Sequence, residues 1–537
     1  MAAEVLIVGA GPTGLALALW LAHLGIRARI VDKALEPGTT SRALVVHART
    51  LELYQQVGLA GTLVEGGLEF IAINVWVNGK RRGRAEVGRM GVGLSPFPFL
   101  LIHPQDEHER ALIAALEAEG VSVERGTELI GLEDGERGVR ARLRRTGGAE
   151  EVCEAAWVAG CDGAHSAVRG AIGAGFPGGT YAPVFYVADV EAAGEAINGE
   201  LHVSIDRGDF VGVFPMKGKG RARLIGILRE GGDAGEELGW DDVRKVAVAA
   251  TGIDVRRVNW FSTYRVHHRV ADRFRGRRAF LLGDAAHIHS PVGGQGMNTG
   301  IGDAVNLSWK LAMVVRGEAD ETLLDTYEPE RIAFARRLVA TTDRIFQLVA
   351  RPGPLADRAR TFAPLLVTTA FRLPAARRYL FRVVSQIAIE YRASALSDGR
   401  AGAVHGGDRL PWVPPESGEE DDFAPLASLR WQVHVHGAAS PALARACASR
   451  GLPLRVLRFG SGARRAGFAR DALYLVRPDG YVALADPEAS PERLDAYLER
   501  RGLQPGRLAE VTDRSRATAP STAPLGAPPE SPAPPDT

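Results

Sequence analysis

The residues of this chain best suited to chemistry are glycines with acids close by. Gly9, Gly11 and Gly14 lie in Val-Gly-Ala-Gly-Pro-Thr-Gly, directly after an apolar run and at the start of a helical pattern. In that setting the first glycine permits a tight turn, the second lets backbone approach a pyrophosphate, and the third lets helix and strand pack closely. Asp32 ends the next apolar run, near the offset at which an acid accepts hydrogen bonds from an adenosine ribose. This segment alone does not separate NAD from FAD. Gly283-Asp284 follows the apolar run 278–282, and a carboxylate at a strand end can hold a polyol hydroxyl. FAD has a ribitol there; NAD has none. Pro291-Val292-Gly293-Gly294-Gln295-Gly296-Met297-Asn298 comes next, and a glycine-dense loop before a helix presents N–H groups to an electron-rich edge. The N1/O2 side of a reduced flavin is such an edge. A third segment, 160–169, carries Asp162-Gly163 and ends in Arg169. The three segments in this order point to FAD.

Positioning these groups requires particular elements. The pattern predicts a buried strand over 4–9, a helix over 12–24 that Gly25 can end, and a second strand over 26–32, which together make a β-α-β unit. Residues 41–60 read as a loop entering an amphipathic helix, and 105–120 as a helix before a strand at 121–125. Residues 185–230 are β-rich, with strands at 211–215 and 222–228, and should form a second sheet covering the first. A helix follows the glycine loop over about 301–316. The pattern from 322 to 396 is helical and broken by prolines. Residues 473–484 read as two strands about the turn Pro478-Asp479-Gly480. The final stretch of Ala, Pro, Ser and Thr has too little apolar surface to offset its ordering entropy, and disorder is expected.

Bulk properties narrow the partners. The chain has 537 residues, 46% apolar and 24% charged, and a formal net charge of +1. That balance suits a globular enzyme and gives no field favouring nucleic acid or an anionic membrane. Its cysteines, Cys153, Cys161 and Cys447, form no C-x-x-C pair and no metal-like cluster, so no metal is expected. The apolar run from Val5 to Leu24 follows Glu4 rather than a basic segment, and glycines and a proline interrupt it. It reads as buried strand, turn and helix, with a cytoplasmic protein expected and no membrane span.

Together these segments resemble the class A flavoprotein monooxygenases, the family of para-hydroxybenzoate hydroxylase and phenol hydroxylase. The likeness covers about residues 4–345. The segment 473–484 extends it with a resemblance to the thioredoxin-like carboxy-terminal domain of phenol hydroxylase and polyketide hydroxylases. The resemblance implies an α/β fold: a Rossmann-like FAD-binding domain, a β-sheet substrate domain, a helical connector and a thioredoxin-like domain. The expected divisions are 1–180 for the first part of the FAD domain (with substrate-domain strands near 70–100) and 181–275 for the substrate domain. The second FAD part and connector then take 276–400, the thioredoxin-like domain 401–512 and a disordered tail 513–537. Cys447 is the only cysteine in that last domain, which excludes a dithiol role.

The same resemblance implies cofactor contacts from Gly9, Gly11, Gly14, Asp32, Arg42, Gln105, Asp162, Gly163, Gly283, Asp284, Gly296, Met297 and Asn298. Pro291 matches the proline whose backbone lies over the oxygen-reactive face of the flavin. NADPH or NADH would be the transient reductant, and a flavin C4a-hydroperoxide would hydroxylate a phenolic or polyketide-like ring. Epoxidation, Baeyer–Villiger insertion or a non-oxygenating FAD reductase are the alternatives, and a homodimer is a further expectation. Flavin halogenases also need a W-x-W-x-I-P segment, which this chain lacks. One departure matters. Where phenol hydroxylases carry an aspartate near the substrate, this chain has Leu44, with His47 the nearby polar group. His47 is the candidate catalytic side chain, against the plainer reading of a loop histidine satisfied by backbone. His287 and His289 suggest structural roles, and Tyr186, Tyr264 and His202 are weaker candidates on the substrate sheet.

Overall fold

Apolar residues fill the first turn of the fold because both faces of its strand are covered. Strand Ala3–Val8 and helix Pro12–His23 are almost wholly buried, the helix from Gly14 to Leu21 without a break. The computed structural model describes residues 3–39, 43–77, 79–206, 209–228, 239–290, 292–350, 371–416 and 421–506. Arg42, Pro291 and the tail 513–537 lie outside the described residues. Strand Ala3–Val8 pairs in parallel with Ala28–Val31 on one side and with Glu150–Gly160 on the other. Val123–Glu124 extends the parallel sheet at one edge. At the other, Glu150–Gly160 divides its length. Its last residues pair in parallel with Ala279–Leu281, and its first part pairs antiparallel with Val139–Arg145 and through it with Thr127–Asp134. The carboxyl ends of Ala3–Val8, Glu150–Gly160 and Ala279–Leu281 therefore lie side by side, and each of the three glycine segments begins there.

A second sheet of eight strands runs in the order 287–288, 254–270, 178–193, 221–228, 209–215, 201–206, 72–77 and 80–86. Its long members are Gly178–Ala193 and Asp254–Val270. The short strand His287–Ile288 joins it to the segment after Gly283, so sheet and cofactor loops are tied directly. Helix Gly296–Val315 begins five residues earlier than the pattern about 301–316 suggested, which places Gly296, Met297 and Asn298 in its first turn rather than in a loop. Gln295 is already in the right-handed helical region, and the glycine content that reads as loop is needed for close approach instead.

Helices Tyr327–Ala350 and Pro374–Val384 follow. The carboxy-terminal sheet starts with Asp398–Ala401 and runs in the order 404–405, 398–401, 482–486, 473–476, 432–436, 454–457. Gln432–His436 is parallel to Leu454–Leu457 through helix Pro441–Ser449 and antiparallel to Leu473–Val476. Helix Pro491–Arg500 closes the unit. Among the described residues no helix is long and apolar enough to cross a membrane. The three cysteines are free thiols.

Candidate active site

Close packing explains each glycine of the first segment differently. Gly9 has φ +101°, and a Cβ there would lie 2.3 Å from the Cys161 carbonyl oxygen. A Cβ on Gly14 would lie 1.9 Å from the Gly9 carbonyl oxygen. A Cβ on Gly11 would meet nothing within 4 Å, so of these three glycines it alone faces open space. That opening lies at the N-terminus of helix Pro12–His23, whose first-turn N–H groups have no partner inside the helix. Asp32 shapes the turn. Its Oδ2 accepts the Ala10 N–H at 2.6 Å and its Oδ1 the Ala34 N–H at 2.8 Å. The open backbone at Gly11 leaves a cradle that could hold a diphosphate.

The second and third segments meet the first. Asp162 follows the carbonyl under Gly9, and its side chain caps the short helix Ala167–Ala171. It accepts the Ser166 hydroxyl at 2.6 Å and the Ala167 and Val168 N–H groups at 2.7 and 3.1 Å. Gly163 has φ +76° and open space where a Cβ would be. Beside this turn stands a basic group. Arg169 stacks on Phe176 at 3.9 Å, and its pKa is lowered by burial with Arg269 adding to the effect. His267, on the same strand as Arg269, is lowered by burial and by Arg269, His165 and His268.

Gly283 has φ +57°, and Thr13 Oγ1 lies 2.6 Å from where its Cβ would be. Asp284 is exposed on the single turn Gly283–Ala285. The buried acid of this site is another one, Asp303. It accepts the Gly283 N–H at 3.0 Å, the His287 Nε2–H at 2.8 Å and the Arg331 Nε–H at 2.5 Å. The Arg331 charge and the hydrogen bonds from His287 and Gly283 hold the Asp303 carboxyl below its ordinary range despite burial. Arg331 continues to the Thr299 carbonyl at 3.0 Å and the Tyr391 hydroxyl at 2.8 Å. His287 is thus committed inside the protein.

The segment that opens helix Gly296–Val315 is organised by Asn298. Its Oδ1 accepts the His47 N–H at 2.9 Å and the Thr50 hydroxyl at 2.8 Å, and its Nδ2 donates to the Val45 and Gly294 carbonyls at 2.9 Å each. The side chain therefore knits loop to helix and leaves backbone for a ligand. His47 is fully buried, donates from Nε2 to the Gly294 carbonyl at 3.1 Å, and is pushed down to about 4 by burial. His289 donates to the Ser290 carbonyl at 2.7 Å and is also pushed down to about 4 by burial. Met297 packs against the main core. A Cβ on Gly296 would approach His289 Nε2 at 3.6 Å. Gln105 Nε2 donates to Glu109 at 2.8 Å, and its Oε1 faces the Ala43 N–H at 3.4 Å.

Against this loop lies an apolar wall. Leu44, Phe70, Met90, Ile102, Leu201 and Phe381 form one buried cluster with Phe97 and Phe214 partly buried at its edge. Of the residues considered on the sheet, His202 is locked between the Trp76 indole N–H at 2.9 Å and Asn198 at 2.9 Å. Tyr264 stacks on Phe185 at 5.7 Å, and Tyr186 on Phe261 at 6.5 Å.

Sequence reasoning missed a charged layer beneath the site. Glu330 is fully buried and accepts Lys310 Nζ at 2.9 Å and Arg477 at 2.8 and 3.0 Å. Arg477 also reaches Asp479 at 2.6 Å, and Asn306 approaches the same carboxylate at 3.5 Å. Glu52 is held by Arg49 at 3.1 Å and by Arg409 at 2.8 Å. Burial lowers Lys310 to about 8 against the opposing pull of Glu330. One signal was available: Asp303, Asn306 and Lys310 recur at i, i+3 and i+7 within an apolar helix, which marks a polar stripe facing partners.

Comparison with known proteins agrees with this geometry. The family described as FAD binding domain matches residues 2–342. The 6-methylpretetramide 4-monooxygenase of Streptomyces rimosus is 35% identical over 94% of this chain and 94% of its own length. The pentachlorophenol 4-monooxygenase of Sphingobium chlorophenolicum is 34% identical over 76% of this chain and 75% of its own. Among solved structures, the OxyS anhydrotetracycline hydroxylase of Streptomyces rimosus superposes with a TM-score of 0.75 at 28% identity, covering 94% of this chain and 100% of that one.

Proposed function

The chain belongs to the FAD-binding-domain family and is a FAD-dependent monooxygenase, and from that premise we propose that it hydroxylates a large, fused-ring aromatic substrate of the polyketide kind. The observation that carries this reading is the apolar wall with Leu44 where a carboxylate would suit a small phenol. Such a wall desolvates a flat ring and offers no fixed charge to a small acidic one. The relative acting on 6-methylpretetramide matches nearly end to end, which supports the same substrate class.

When bound, FAD supplies the oxygen-activating chemistry. The chain would hold its diphosphate at Gly11 and the helix N-terminus, its ribose at Asp32, and its ring edge at the backbone of 294–298. Arg42, Gln105, Asp162, Gly163, Asp284 and Pro291 belong to the same proposed cofactor set. Burial keeps His47 and His289 neutral at pH 7 and His287 is committed to Asp303, so each is assigned an orienting role rather than proton transfer. The cations of Arg169 and Arg269 beside the Asp162–Gly163 turn suit the phosphates of NAD(P)H. That reductant makes the cytoplasm the proposed location; a homodimer is the proposed assembly. For residues 398–503 we propose a redox-inactive thioredoxin-like unit, supported by the 454–432–473–482 strand order and by Cys447 being buried and alone.

The test is NAD(P)H consumption in air by FAD-loaded protein with tricyclic and tetracyclic phenols, against small phenols and a no-substrate blank. Faster consumption with a fused-ring phenol and a product heavier by one oxygen supports the proposal. Stimulation by small phenols alone removes the substrate class, and consumption that never yields an oxygenated product removes the hydroxylase reading.

A further inference from the structure

Gln386 is a buried non-glycine residue with φ +63°, in the left-handed region that L side chains avoid. Strain of this kind persists where surrounding structure enforces it, and it concentrates where geometry serves function. The place is the sharp turn after helix Pro374–Val384. The left-handed backbone aims the Gln386 amide at the loop that opens helix Gly296–Val315. Its Nε2 donates to Gln295 Oε1 at 2.7 Å and to Thr299 Oγ1 at 3.0 Å. Gln295 returns the contact, donating from Nε2 to the Val384 carbonyl at 2.8 Å. The intervening Ser385 carbonyl accepts the Arg49 N–H at 3.2 Å, at the start of the helix that follows His47. Three consecutive residues thus bind both segments that Asn298 knits together.

The same turn is anchored on the substrate side. Phe381 is fully buried in the apolar wall, so close to Gly91 that a Cβ there would lie 2.3 Å from its ring, and Ile387 belongs to the same cluster. The turn therefore connects the ring-edge segment with the wall proposed to bind substrate.

We propose that Gln386 is a positioning residue that latches the 293–299 turn and helix start in their flavin-binding form, through Gln295, from the connector. This rests on the reading of that segment as the flavin ring-edge site.

The test uses the full chain stripped of FAD, with FAD itself as the probe. Gln386→Gly removes the amide and relieves the left-handed strain, whereas Gln386→Met keeps length and strain but loses the hydrogen bonds. Both variants should bind FAD about tenfold or more weakly and alter the visible circular dichroism of the bound flavin. The FAD-free melting temperature of Gln386→Gly should hold or rise. Gln295→Ala should cause a similar loss, and the double variant with Gln386→Met no further loss. If both variants fold and match the parent in FAD affinity and dichroism, the latch is wrong. If only Gln386→Met folds, its own affinity and dichroism decide in the same way. If the parent chain binds no FAD, it is the flavin reading that fails, before any variant is compared.

Discussion

The glycine cradle at the amino end and the charged layer beneath the carboxy-terminal unit solve opposite problems. The cradle removes side chains so that backbone can reach a ligand: Gly9, Gly14 and Gly283 all pack where a Cβ would collide, and Gly11 is left open. The layer does the reverse, burying long charged side chains against each other, with Glu330 between Lys310 and Arg477 and Glu52 between Arg49 and Arg409. Helix Gly296–Val315 belongs to both, through the loop at its start and through Asn306 and Lys310 farther along. The contrast implies a division of labour. Damage to the layer should cost folding, and damage to the cradle should cost cofactor.

The largest effect should come from Glu330→Ala. It strips the shared partner from two buried cations, and breaking such a pair costs about 3–5 kcal/mol because the remaining charges have no water to return to. Chemical denaturation of the FAD-free chain should record that loss. If stability is unchanged, the layer is not what joins the units.

Gly14→Ala tests the other half. A Cβ placed 1.9 Å from the Gly9 carbonyl oxygen forces the turn and the helix apart. FAD affinity should fall by about two orders of magnitude, or roughly 2.7 kcal/mol, with a smaller drop in FAD-free stability than Glu330→Ala produces. Equal losses of stability in the two variants would erase the division.

This contrast also explains what could be read from the chain alone. The three glycine segments are contiguous, and backbone geometry dictates their spacing, so Gly9 to Gly14, Asp162-Gly163 and Gly283-Asp284 announce a dinucleotide without a structure. The buried layer draws on residues from Glu52 to Asp479, and no local spacing links Arg477 to Glu330. The exposed Asp284 is legible because it adjoins a glycine, while Asp303, which holds the Gly283 turn, is marked only by its place in a polar stripe with Asn306 and Lys310, and that stripe does not name its partners. The helix start at Gly296 was hidden for the same reason. Glycines there meet a packing demand that composition reads as loop.

Acid should blur the division, since the fold buries neutral histidines and paired carboxylates that take up protons when it opens. His47 is pushed down to about 4 beside Gly294, His108 to about 3 against Tyr54, and His434 to about 3 in the carboxy-terminal sheet. From pH 6.5 downward the unfolded chain binds protons that the folded chain refuses, so stability falls with pH across that window. Below about 4.5 Glu330, Asp303 and Glu52, all held below the ordinary carboxylate range by their cations, add losses of the same sign. FAD release and loss of folded structure should therefore run together on acidification from pH 6.5 to 4. Release that is complete while the melting temperature is still at its neutral value would separate the regions again.

The smallest expected effect lies outside both regions. Arg269 stands beside the Asp162–Gly163 turn, where it and Arg169 are close enough that Arg269 helps lower the Arg169 pKa. Cations crowded together on a partly open surface destabilise each other slightly unless an anion joins them, and exposed charge pairs are worth about 0.2–1 kcal/mol. Arg269→Ala should raise the KM for NAD(P)H about two- to fivefold and leave both FAD affinity and stability where they were. Added salt should narrow the gap between parent and variant, since screening weakens a phosphate contact at this exposure. A variant that lost FAD instead would place the group in the cradle, and one that lost stability would tie it to the fold. An unchanged KM would leave the cluster without a part in reductant binding, and the dinucleotide would have to approach from another side.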